Sequence, residues 1–146
     1  MCYENGTMFD DGTLLKLSDH GFRWVCGDEY GGEWLKEQAK KKNYKVHIKN
    51  STDQINNLSL QGPKSREILE KIIFTPPTQP SISELEWFRF SICRLEELNG
   101  IPLIVSRTGY TGELGFEIWC HPSDAPTVWD KVMEACLLYT SDAADD

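Results

Sequence analysis

The chain has few of the residues that build metal or polyanion sites. Only three histidines occur among 146 residues, at His20, His47 and His121, and no pair of them has metal-ligand spacing, so no metal centre is expected. Positive charge is also scarce. Fifteen Lys and Arg stand against 23 Asp and Glu, a net charge of −8, which argues against a nucleic-acid or anionic-membrane surface. The single basic run, Lys40-Lys41-Lys42, closes a predicted helix, where cations offset the helix dipole. No apolar run approaches the roughly 20 residues of a membrane span, and no signal peptide is recognisable. The five cysteines are far apart, without a C-x-x-C pair. They read as reduced, mostly buried thiols of a cytoplasmic protein. The phosphate loops G-x-G-x-x-G and G-x-x-x-x-G-K-[ST] are absent, which removes the usual nucleotide sites. Internal repeats and low-complexity tracts are lacking as well.

What is present suffices for a packed core: 40% of the residues are hydrophobic and 11% aromatic. Leu15 and Leu17, then Phe22, Trp24 and Cys26, recur at every second residue around Asp19-His20-Gly21, which predicts a hairpin. Trp34, Leu35, Gln38 and Ala39 then follow at helical spacing in Tyr30 to Lys42, with Asp28 as a possible cap. Val46 and Ile48 read as a strand. A second unit opens with a strand at Ile55 to Gln61, and Gly62-Pro63 leads into a helix carrying Ile68, Leu69 and Ile72 on one face. Thr75 to Pro80 is a connector. Phe88, Phe90 and Ile92 alternate toward the hairpin turn Asn99-Gly100, and Ile101, Leu103 and Val105 return from it. Phe116, Ile118 and Cys120 form another strand, and His121-Pro122-Ser123 enters a last helix in which Trp129, like Trp34 earlier, reads as core. The predicted class is α+β, helices packed on largely antiparallel sheet.

Both ends of the chain read as unnatural. Met1 precedes what looks like structured sequence and is not expected to be a natural start. The amphipathic pattern of Asp124 to Ala135 breaks off into C-L-L-Y-T-S-D-A-A-D-D. Back-translated, this segment resembles a transposase adapter used in sequencing libraries, so residues 136–146 are expected to be a read-through artefact. Without its three aspartates, Asp142, Asp145 and Asp146, the charge is −8 + 3 = −5. The expected organisation is residues 1–50 as the later part of one domain, 51–135 as a second α+β domain, and the tail.

Two stretches carry candidate chemistry. Asp10-Asp11-Gly12 places adjacent carboxylates at a turn, where at most one will be buried while the other faces water; from spacing alone both read as turn residues. Ser106 to Cys120, S-R-T-G-Y-T-G-E-L-G-F-E-I-W-C, interrupts two strands with three glycines and Glu113. That is more glycine than a connector needs.

R-T-G-Y-T-G-E-L-G-F-E, with the upstream L-Q-G-P-K of Leu60 to Lys64 and the pair Asp10-Asp11, resembles the aminomethyltransferase family, the glycine-cleavage T-protein and its relatives. The resemblance extends over nearly all of Met1 to Ala135. It implies a fragment of a three-domain, tetrahydrofolate-dependent one-carbon transferase. Glu113 matches the loop glutamate that holds the pterin ring, with Tyr110 and Gly112 beside it. Asp11 matches the essential aspartate at the reactive folate nitrogen, and Val25 an apolar folate-lining position. A carboxylate can accept two parallel hydrogen bonds from the pterin edge, and Gly109, Gly112 and Gly115 would permit positive φ and let the flat ring approach the backbone.

Two departures bear on the substrate. Arg23 and Gly27 stand where the family carries tyrosine and asparagine, and Gly27 removes a polar side chain from the pocket edge. That suggests a donor other than the aminomethylated lipoyl carrier protein. The implied partners are a small methyl or aminomethyl donor, with the lipoylated carrier as an alternative. A demethylase of another N-, S- or O-methylated molecule, a non-catalytic folate-binding accessory protein, and a module fused to a flavin oxidase all remain open.

Overall fold

The computed structural model describes residues 1–142, with side chains through Leu137. It divides into two compact units, Met1–Ser51 and the chain from Thr52 onward.

The first unit is a hairpin and a helix. Strands β1 (Gly12–Lys16) and β2 (Phe22–Cys26) pair antiparallel, Gly12 opposite Cys26 and Lys16 opposite Phe22. The register needs glycine at its open end: a Cβ on Gly12 would lie 2.1 Å from the Val25 carbonyl oxygen. Helix α1 (Tyr30–Lys41) begins where the Asp28 carboxylate accepts the Tyr30 N–H at 2.7 Å. Phe9 fixes the N-terminal segment on this helix, stacked on Trp34 at 6.1 Å and edge-on to Tyr30 at 5.5 Å. The strand expected at Val46 and Ile48 is not formed. Residues 44–50 have no regular structure and Val46 is exposed, because no neighbouring strand in the described unit offers its backbone a ladder.

The second unit is a five-stranded antiparallel sheet, ordered β3-β7-β6-β5-β4, with helices α2 (Ser65–Ile72) and α3 (Ala125–Asp142) against one face. The strands are β3 (Asn56–Gln61), β4 (Ile73–Phe74), β5 (Phe90–Leu95), β6 (Pro102–Ser106) and β7 (Gly115–Cys120). Ile68, Leu69 and Ile72 of α2 meet Val128, Val132 and Ala135 of α3 over Leu103, Val105, Phe116 and Ile118 of the sheet. The connector after β4 is pinned by its own Ile82 and Leu85, both buried, and by Arg66. That guanidinium donates to the Ile82 carbonyl at 3.0 Å and to that of Ser83, and sits 5.6 Å over the Phe116 ring.

Three expectations are corrected here. In β5 the buried side chains are Ser91, Cys93 and Leu95, while Ile92 is 49% exposed and Phe88 precedes the strand at φ 56°. The inward parity is set by Cys93 opposite Leu103 and Ser91 opposite Val105, since a strand shows alternate residues to opposite faces. Trp129 is 54% exposed, because Val128 and Val132 take the inward stripe of α3. The helix expected to stop at Ala135 runs through Asp142, and Cys136 packs against the core; residues 136–142 contain neither Gly nor Pro to end it. Residues 143–146 of the expected artefact lie outside the described residues. Among the described residues no helix is long and apolar enough to cross a membrane.

All five cysteines are free, Cys93 and Cys120 buried and Cys2 exposed. Burial favours the neutral thiol: it pushes Cys93 up to about 12 and, with a contribution from the Asp124 charge, raises Cys120. A thiol reagent at pH 8 will therefore modify Cys2 at once, and Cys93 only after denaturant unfolds the chain. Fast labelling of Cys93 in the native protein contradicts this packing. Val105→Ala, at a fully buried β6 position, will cost about 2–4 kcal/mol in urea unfolding.

Candidate functional site

In the first unit the paired aspartates have separate tasks. Asp10 is half-buried, and its two oxygens accept the N–H of Asp11 at 2.9 Å and of Asp28 at 3.1 Å. It ties the start of β1 to the entry of α1. Asp11 is exposed and no side-chain partner engages its carboxylate among the described residues. Gly12 then holds the chain against Val25, whose side chain is half-buried on β2. Gly27 lies beside Asp10, with Oδ1 3.7 Å from where a Cβ would be. A cleft of about 460 Å³ in this unit is lined by Tyr3, Tyr30, Trp34 and Glu37 and does not include Asp10 or Asp11.

In the second unit, the segment from Arg107 to Leu114 joins β6 to β7. Gln61, the last residue of β3, closes its base. The Gln61 amide donates through Nε2 to the carbonyls of Thr108 at 3.2 Å and Phe116 at 3.1 Å, and its Oε1 accepts from the Thr111 hydroxyl at 3.3 Å. Two of the loop glycines exist to make room for it. A Cβ would meet the Gln61 side chain at 2.5 Å from Gly109 and at 1.6 Å from Gly115. Only Gly112, at φ 78°, has open space around it. The expectation that all three glycines admit a ring is therefore corrected: Gly115 is buried strand backbone under an amide. Beyond this base the loop is open to solvent. Tyr110 is fully exposed, and Glu113 is exposed without a partner among the described residues.

A second carboxylate stands on β7. Glu117 is half-buried and held from both sides: Asn57 Nδ2 donates to Oε1 at 2.9 Å, and the Thr108 hydroxyl donates to Oε2. Thr108 and Ser106 are buried and share a hydrogen bond of 2.8 Å, and Ser106 Oγ accepts the indole N–H of Trp119 at 3.0 Å. Among the described residues no group of three or more His, Cys, Asp or Glu could hold a metal ion.

The GCVT N-terminal domain family matches residues 1–140. The chain belongs to this family. It is 53% identical over 135 residues to the trimethylamine-oxide aldolase of Ruegeria pomeroyi, which covers 92% of the chain and 17% of that protein. It is 38% identical over 137 residues to the aminomethyltransferase of Alkaliphilus metalliredigens, covering 92% of the chain and 35% of the relative. Against the aminomethyltransferase of Thermoanaerobacter pseudethanolicus the identity is 39% over 142 residues, 95% of the chain and 36% of the relative. The chain thus spans between 17% and 36% of the length of these relatives.

Within this GCVT chain, the sequence-expected residues fall in two places. Asp11 and Val25 belong to the first unit; Tyr110, Gly112 and Glu113 share the exposed loop of the second. Sequence reasoning missed Gln61, Asp10's clamp and Glu117. Gln61 stood inside the quoted L-Q-G-P-K, and its signal was available: an amide at a strand end can satisfy the loose carbonyls of a facing loop. Gln61→Ala removes three hydrogen bonds and will destabilise the chain by about 1–3 kcal/mol, with faster chymotryptic cleavage after Tyr110. An unchanged cleavage rate means the amide does not hold the loop.

Proposed function

We propose that the chain is the folate-handling part of a tetrahydrofolate-dependent one-carbon transferase whose donor is a small N-methylated amine. The observation that carries this reading is the division between the two aspartates. Asp10 is engaged by the backbone N–H groups of Asp11 and Asp28, while Asp11 is left as an exposed carboxylate on the same turn, available for chemistry. When bound, tetrahydrofolate supplies the nitrogens that take up the carbon. Asp11 would stabilise positive charge that develops as the carbon changes nitrogen, and would accept a proton.

The pterin edge is assigned to the loop. Glu113 has no competing partner among the described residues and sits beside the one loop glycine with open space, Gly112, with Tyr110 as an exposed aromatic face. Glu117 is the second candidate, since its carboxylate is already held in place by Asn57 and Thr108. Val25 would supply apolar contact. The loop residues of the second unit therefore fit a pterin edge.

The donor class follows from two observations. The relative at 53% identity is named for trimethylamine oxide, and Gly27 leaves open the edge next to Asp10. The second reading, aminomethyl transfer from a lipoylated carrier protein, is supported by the aminomethyltransferases at 38% and 39% identity. A non-catalytic folate binder would have no use for Asp11.

In the full-length protein, Asp11→Asn will lower turnover about 10²-fold or more with little change in folate affinity. Glu113→Ala will weaken folate binding by about 1–3 kcal/mol, up to roughly a hundredfold. Steady-state kinetics and calorimetry separate the two. Equal turnover of Asp11→Asn and wild type reduces Asp11 to a turn residue. A larger loss of binding in Glu117→Gln than in Glu113→Ala moves the pterin contact to β7.

A further inference from the structure

The N-terminal segment and α1 enclose a cleft that the functional reading above leaves unused. Tyr30, Trp34, Glu37 and Lys41 stand at i, i+4, i+7 and i+11 along one face of α1, and Tyr3 and Glu4 add to the lining from the N-terminal segment. A closed turn presents those two residues: the Gly6 N–H bonds the Tyr3 carbonyl at 2.9 Å, and the Tyr3 N–H bonds the Thr7 carbonyl at 2.9 Å. Gly6 supplies the positive φ that this turn requires, at 83°. The cleft measures about 460 Å³, within the range of small-molecule sites.

Its three rings are fixed by a fourth. Phe9, which is not a lining residue, lies nearly parallel to Trp34, at 15° and 6.1 Å. It lies steeply to Tyr3, at 70° and 5.8 Å, and to Tyr30, at 85° and 5.5 Å. Both tyrosine rings are therefore steeply inclined to the indole around one cavity. Aromatic faces carry the negative part of the ring quadrupole, so rings inclined in this way favour a cation and disfavour an anion. The charges agree. Two carboxylates, Glu4 and Glu37, stand in the lining against the single ammonium of Lys41. The Tyr30 hydroxyl donates to Glu37 Oε1 at 3.2 Å, which keeps that carboxylate beside the rings. The Glu37 charge in turn raises the Tyr30 phenol above its ordinary pKa. An ammonium with free N–H groups loses strong hydration on leaving water, whereas a methylated one presents its charge through apolar methyl groups, which is the form that aromatic rings accept most readily.

The geometry points to a binding site for a small methylated ammonium cation in this cleft, with Tyr3, Tyr30 and Trp34 as its aromatic contacts and Glu37 as its counter-charge. The site shares no residue with the carboxylates assigned to folate, Asp11 and Glu113, so it stands independently of that reading.

The test is calorimetry on the full-length protein at fixed ionic strength, with tetramethylammonium chloride and tert-butanol as probes of similar size, of which only the first is charged. Wild type is expected to bind tetramethylammonium with a Kd of about 1 mM and tert-butanol about tenfold more weakly or worse. Glu37→Gln, on the exposed surface of α1, should weaken tetramethylammonium about threefold and leave tert-butanol unchanged. Trp34→Leu should weaken tetramethylammonium by about threefold or more. Tyr30→Leu removes an exposed ring; it guards against a Trp34→Leu variant that fails to fold without its stacking on Phe9, and should act in the same direction. Equal binding of the two probes makes the cleft a neutral apolar pocket and overturns the inference. A tetramethylammonium affinity that Glu37→Gln and Tyr30→Leu both leave unchanged overturns it too, as does a wild type that binds no tetramethylammonium.

Discussion

The amide of Gln61 is the contact on which the second unit's functional end depends. It stands at the end of β3 and bonds across β7 to the Thr108 and Phe116 carbonyls, so one side chain closes the base of the loop between β6 and β7. Everything around it is shaped by that choice. Gly109 and Gly115 must lack side chains because the amide occupies their space. Gly62, next in the chain at φ 125°, turns away so that its N–H bonds the Leu114 carbonyl at 2.7 Å and α2 can begin. With the base fixed, Thr108 is held where its hydroxyl meets Glu117, while residues 110–113 project into solvent. A rigid stem under an exposed tip is what a binding loop requires.

The same economy governs the first unit. Two carboxylates in sequence repel, and the fold resolves this by giving the first to the backbone and leaving the second to water. The Asp28 N–H that Asp10 accepts is two residues before α1, so the clamp and the helix entry are one structure. Asp11 inherits its position from a neighbour whose two oxygens are each engaged by a backbone N–H.

Much of this was legible in the sequence. Periodicity placed the β1–β2 hairpin, α1, α2 and the strands around Asn99-Gly100, since alternation and capping are local signals. The parity of β5 was not, because Phe90 and Ile92 are as apolar as Cys93 and Leu95; which pair turns inward is set by β6, a non-local partner. The strand at Val46 failed for the related reason that a β-propensity needs a neighbour to express it. Gly109 and Gly115 were read correctly as special and incorrectly as ligand space. Their reason lay in Gln61, some 50 residues upstream by the separation of the Thr111 contact, and spacing carries no information about a side chain that distant. Glu117 was hidden by the alternation of β7, where a polar residue between Phe116 and Ile118 reads as an ordinary outward position.

The central claim is that each unit carries a carboxylate segment that serves folate, one around Asp11 and one from Thr108 to Glu117. Hydrogen–deuterium exchange of the full-length protein with and without tetrahydrofolate addresses it directly. The account predicts slower amide exchange on binding in residues 10–13 and 108–117, and no change in the exposed turn at Asn99-Gly100, which lies at the opposite end of β5 and β6. Protection that spares both carboxylate segments while appearing elsewhere would contradict it.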